Sequence, residues 1–125
     1  MAVHRVNCLI QKNDNALTLS IAPFLREVRD KTPTVIWDAA GDGDFPEEQF
    51  FNWKVGGPGS IPTRSADGKT LTLNYSQINV SDWRYEISLR AGNCVVVIDP
   101  DIHNDPPPGG GGGDDKKKRS KSRRR

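Results

Sequence analysis

The chain has one methionine, two cysteines and two histidines in 125 residues, and these scarcities exclude a good deal. No segment approaches the roughly eighteen consecutive apolar residues that a membrane-spanning helix needs. The opening residues, Met1 to Asn7, turn polar before they form the apolar stretch of an export signal, so a cytoplasmic location is expected. In that reducing compartment Cys8 and Cys94 are expected as buried thiols and not as a disulfide. The glycosylation-type triplets at Asn74 and Asn79 then carry no meaning.

Catalytic signatures are missing too. There is no Gly-x-Ser-x-Gly elbow, no His-Glu-x-x-His pair and no phosphate-cradling glycine loop. With two histidines and two cysteines, a Cys–His pairing is easily imagined by accident. The expectation is a non-catalytic protein without a cofactor.

What is present is a segregation of charge. The whole chain carries 18 Lys+Arg against 16 Asp+Glu, a formal net charge of +2. Residues 114–125 hold eight bases and two acids, which is 8 − 2 = +6. Residues 1–113 hold ten bases and fourteen acids, which is 10 − 14 = −4. Between body and tail lie three prolines and five glycines at 106–113, a short stiff piece followed by a flexible one. Beyond residue 113 no apolar residue occurs, so that segment has nothing to bury. The predicted organisation is a folded domain at 1–105, a linker at 106–113 and a disordered basic tail at 114–125.

Inside the body the dominant hydrophobic period is two. Val6, Cys8 and Ile10 alternate with polar or outward positions, as do Leu17, Leu19 and Ile21. The same alternation appears at Phe51, Trp53 and Val55, at Leu71, Leu73 and Tyr75, and at Tyr85, Ile87 and Leu89. Residues 34–37 are a shorter candidate strand, and 94–98 are continuously apolar, the pattern of a strand covered on both faces. Only 24–31 carries a helical pattern. Asp67-Gly68 is a hairpin signal, and 13–15, 56–59 and 91–93 mark further reversals. Seven to eight strands of this kind predict an all-β protein, an antiparallel β-sandwich. Its Greek key would be immunoglobulin-like or cupredoxin-like.

Two metal sites are candidates. Copper of the blue type takes two His and a Cys, and Cys94 precedes His103 by nine residues. No methionine follows that cysteine, which weakens the pattern. Calcium favours carboxylates on a glycine-containing loop, and residues 38–44 offer Asp38, Asp42 and Asp44. Counting from Asp38, the third position is Ala40 and the twelfth Gln49, so the EF-hand pattern fails. A solvated turn accounts for the same residues. Among the aromatics, Trp37, Trp53 and Tyr85 are expected in the core, whereas Phe50 either joins Phe45 in an exposed apolar patch or belongs to a strand buried on both faces.

The tail is the strongest functional signal. Lys116, Lys117, Lys118, Arg119, Lys121, Arg123, Arg124 and Arg125 form a cluster that binds polyanions by displacing condensed counterions. The same density suits an anionic membrane leaflet. Phosphorylation of Ser120 or Ser122 would weaken either contact. The sequence therefore predicts an interaction module whose tail contacts nucleic acid or a membrane. Loops at 41–50 and 56–61 are offered to a protein partner, with metal binding as the alternative.

Overall fold

The computed structural model describes residues 3–13 and 16–107. These fold into ten strands, with no helix among the described residues. The strands are β1 (Val3–Asn13), β2 (Ala16–Ala22), β3 (Leu25–Val28), β4 (Thr34–Gly41) and β5 (Phe51–Val55). They continue as β6 (Thr63–Arg64), β7 (Thr70–Asn74), β8 (Ser81–Ala91), β9 (Cys94–Ile98) and β10 (Asp101–Asn104). One sheet has the order β2-β1-β4-β7-β6. The other has the order β3-β10-β8-β5, with β9 also paired to β8.

Both sheets are mixed, which corrects the antiparallel expectation. β1 runs parallel to β4, and β3 runs parallel to β10. The second case follows from the β2–β3 stretch, which is one extended run broken at Pro23. Proline has no N–H for the ladder. A cis bond joins Ala22 to Pro23 there, and the chain leaves the β1 edge of one sheet for the β10 edge of the other. Residues 24–31 therefore contain a strand where the local pattern suggested a helix. The partner that makes it a strand, β10, lies far along the chain, and no short window of sequence contains it.

The alternating residues meet between the sheets as predicted. Val6, Cys8 and Ile10 from β1 and Leu71 and Leu73 from β7 face Tyr85, Ile87 and Leu89 from β8, all of them buried. Trp37 of β4 sits at the centre with no exposed surface. Its ring meets Phe51 edge-on at 5.3 Å and Tyr85 edge-on at 5.5 Å, while Phe51 and Tyr85 stack at 4.9 Å. A buried aromatic removes 150–250 Å² from water, worth about 4–6 kcal/mol before entropy is subtracted.

The core decides against an exposed Phe45–Phe50 patch, and it overturns the expectation of a buried Cys94 on a covered strand. Phe45 is fully buried and not part of an exposed patch. Asp44 and Arg90 exchange backbone hydrogen bonds of 2.9 and 2.8 Å, and the Phe45 amide donates to Gly68, so the loop is folded down onto the core. Phe50 is half-buried against the same cluster. Cys94, expected to be buried, is exposed, and β9 is an edge strand with Val95 and Val97 more than half exposed. A run of apolar residues between turns signals a strand but not the number of faces that are covered.

The body has two distinct ends. At one lie the β6–β7 and β8–β9 hairpins and the 42–50 loop; this is called the hairpin end. At the other lie the 29–33, 56–62 and 75–80 loops and Asp105, close to where the described residues end; this is the C-terminal end.

Candidate functional site

The aromatic residues do not stop at the core. Phe51 touches Trp53 at 4.8 Å, Trp53 touches Trp83 at 5.3 Å, and Trp83 tilts against Tyr75 at 4.8 Å. This row runs from Trp37 outward and ends in a cleft of about 430 Å³ at the C-terminal end. Trp83 and Tyr75 form its apolar wall, and Ser60, Ser76 and Asn79 supply polar groups around it. The 56–59 glycine loop closes one side. Gly57 has a φ of 106°, and a Cβ there would stand 2.7 Å from the Trp53 ring, so only glycine lets this backbone lie on the indole. Trp53 Nε1–H donates to the Ser60 carbonyl at 2.7 Å and fixes the loop in place.

Beneath the cleft the polar groups are mostly paired. Tyr75 Oη–H donates to Asn104 Oδ1 at 2.6 Å, and Asn104 Nδ2 donates to Ser81 Oγ at 3.3 Å. Burial raises the Tyr75 hydroxyl well above the usual phenol range, with the Asp30 carboxylate adding to the effect. Gln77 Nε2 donates to the carbonyls of Val28 and Asp30, while its Oε1 is buried without a protein partner. Sequence reasoning missed Asn104 and Gln77. Nothing about an isolated amide residue signals that it will be buried.

A second polar group lies at the same end, where β1 meets β3. His4 Nε2–H donates to Asp30 Oδ1 at 2.6 Å, and Arg26 donates to His4 Nδ1 at 3.2 Å. The arginine fixes the tautomer, because a nitrogen that accepts carries no proton. The three side chains clasp one sheet to the other, beside a shallow concavity of about 680 Å³.

The sequence-derived metal candidates are dispersed. Asp38 lies in β4 and not in a loop, held by both Arg5 hydrogen bonds at 2.9 and 3.0 Å. Asp44 is held by Arg90 at 3.1 and 3.3 Å. Asp42 donates its backbone amide to the Ile10 carbonyl. Among the described residues no three His, Cys, Asp or Glu side chains are grouped to hold an ion. Cys94 pairs with Ala91 of β8 and His103 with Asp82. At 3.3 Å per residue these positions are about 30 Å apart along β8, so the copper pairing is not assembled.

The polyanion-binding candidates, Lys116 to Arg125, lie outside the described residues. What is described is the direction of approach to them. The Asp105 amide donates to the Val28 carbonyl at 2.8 Å, so the chain is held at the C-terminal end as far as Asp105. The loops offered to a protein partner, 41–50 and 56–61, turn out to lie at opposite ends, the first at the hairpin end with Gly41 still in β4 and the second at the C-terminal end. Among the described residues no helix is long and apolar enough to cross a membrane. No protein-family model matches the chain, and no curated protein sequence is significantly similar to it.

Proposed function

We propose that this chain is a non-catalytic β-sandwich binding module held to a polyanion, nucleic acid or an anionic membrane surface, by its basic tail. The observation that carries the reading is the charge segregation, −4 over residues 1–113 and +6 over residues 114–125. An acidic body does not itself seek a polyanion, so the attraction is delegated to the tail. The linker of eight residues reaches at most about 29 Å, which keeps the C-terminal end and its aromatic cleft near the anchoring surface. The hairpin end faces away and is left for a protein partner.

For the fold type we propose the cupredoxin-like arrangement. What supports it is the parallel pairing of β1 with β4 in one sheet, counting the bent β2–β3 stretch as a single strand. In the immunoglobulin arrangement the first and third strands belong to different sheets.

The test compares the full chain with a version ending at Asp105, titrated against DNA, RNA and anionic vesicles over a salt series. The full chain is expected to bind with a log–log salt slope of up to roughly −7 on duplex DNA, about −0.9 for each of eight basic contacts. The shortened chain is expected to lose that binding. Equal affinity of the two would refute the reading. The three titrants separate nucleic acid from membrane.

A further inference from the structure

Edge strands present unpaired backbone groups, and proteins ordinarily guard them with charge, proline, bulges or brevity. Most edges here follow that rule. β5 carries Lys54 and a register shift between Trp53 and Val55, and β6 has only two residues. β3 is short, charged at Arg26 and Glu27, and preceded by Pro23. β2 is uncharged, but its outward phase is Ala16, Thr18, Ser20 and Ala22, small or hydroxylated side chains. β9 has five residues and, within them, no charge, proline or bulge. Its residues are Cys-Val-Val-Val-Ile, and Val95 and Val97 are 54% and 52% exposed.

The backbone of β9 is open in a defined register. Ser88 N–H donates to the Phe50 carbonyl, and Arg90 exchanges bonds with Asp44, so these two residues turn their backbone away from β9. The β8–β9 ladder is therefore carried by Ile87, Leu89 and Ala91 with Ile98, Val96 and Cys94. Antiparallel ladders alternate, so the N–H and C=O groups of Val95 and Val97 point outward. Among the described residues β9 pairs with β8 alone.

The occupant cannot come from this chain's own C-terminal segment. That segment leaves from the opposite end of the body, and residues 106–125 contain only proline, glycine, serine and charged residues. Proline has no N–H to give to a ladder, and no side chain in the segment would cover the exposed valines. An uncharged valine edge is matched by another of the same kind, and a second copy of the chain supplies one.

We propose that β9 is a self-association strand, pairing antiparallel with β9 of a second copy about a two-fold axis at Val96. In this register Val95 of each copy faces Val97 of the other, and each such pair exchanges both backbone bonds. The axis is perpendicular to the sheet, so the inward phase, Val96 and Ile98, stays inward in both copies. The result is one continuous sheet in the order β5-β8-β9 followed by β9-β8-β5 of the second copy. A five-residue edge lies below the size of a standard interface, so the association is weak and concentration-dependent.

Sedimentation velocity of the full chain, in a series up to about 1 mM, tests this. The expected result is a monomer–dimer equilibrium that V97K and V95K each weaken by at least about tenfold, since each plants a charge on the paired edge. Circular dichroism and tryptophan fluorescence must stay unchanged in these variants. The register is read separately. Cys94 faces Ile98 of the second copy in a non-hydrogen-bonded pair about 4.5 Å apart, within disulfide reach. I98C is therefore expected to give an intermolecular disulfide on mild oxidation, and adding C94S removes it. A wild-type chain that stays monomeric throughout the series overturns the proposal. So does a dimer that folded V95K and V97K leave intact, or a dimer in which folded I98C does not cross-link.

Discussion

Trp37 Nε1 donates a hydrogen bond of 2.8 Å to Tyr85 Oη, and both side chains are completely buried. Trp37 belongs to the β1-β4-β7 sheet and Tyr85 to the β10-β8-β5 sheet, so this polar bond crosses the apolar layer. Each ring brings a large apolar surface, and each polar atom satisfies the other. Tyr85→Phe keeps the packing and leaves the indole N–H without an acceptor. It is expected to cost about 1–3 kcal/mol in urea unfolding, with little change in the m-value.

The same burial produces an alkaline limit. Desolvation, with a smaller contribution from Asp38, pushes the Cys8 thiol up to about 12. Desolvation also raises Tyr75 and Tyr85 above the phenol range, and in Tyr85 the Trp37 bond opposes the rise. In the unfolded chain these groups ionise near 9 and 10. Between those values and the raised ones the folded state holds more protons, so stability is full below about pH 9 and falls as pH rises. Unfolding under reducing conditions from pH 8 to 11 is expected to show this decline. Cys8→Ala should lessen its slope by about 1.4 kcal/mol per pH unit.

Gly41 ends β4 at the hairpin end with a φ of 76°. A Cβ at this site would lie 2.4 Å from the Ile10 carbonyl oxygen, which belongs to backbone and cannot swing aside. Gly41→Ala is therefore expected to destabilise by about 1–3 kcal/mol, measured as a drop in the urea midpoint.

Asn104 is wholly buried and serves both Tyr75 and Ser81. Asn104→Leu removes both partners at once, and it is expected to cost about 2 kcal/mol or more. Faster amide exchange at Tyr75 and in the 76–80 segment should accompany the loss, since their anchoring at the C-terminal end is weakened. Unchanged exchange there would mean that the Asn104 contacts do not hold the cleft.

The layers of this fold were legible in its sequence where the evidence was local. The inward sets at Val6, Cys8 and Ile10, and at Tyr85, Ile87 and Leu89, follow directly from a period of two. The parallel pairings were not legible, because β3 exists only through β10, and β10 itself has a single buried apolar residue, Ile102. Residues 94–98 read as a strand correctly and as a covered strand incorrectly, since hydrophobicity reports the wish for a partner and not its presence. Of the candidate site, Trp53 and Tyr75 were visible as aromatics on strands. Their connection through Trp83 depends on β5 pairing with β8 and on the end of β7 packing across from it, and no spacing in the sequence encodes that.

β10 lies between β8 on one side and β3 on the other, and it is the last strand among the described residues. A pull on the tail away from the C-terminal end runs along the axis of this strand. Its ladder bonds lie across that axis, so both ladders resist by shear, sharing the tension, instead of peeling apart bond by bond. A tether pulling there would thus load two ladders at once and not one.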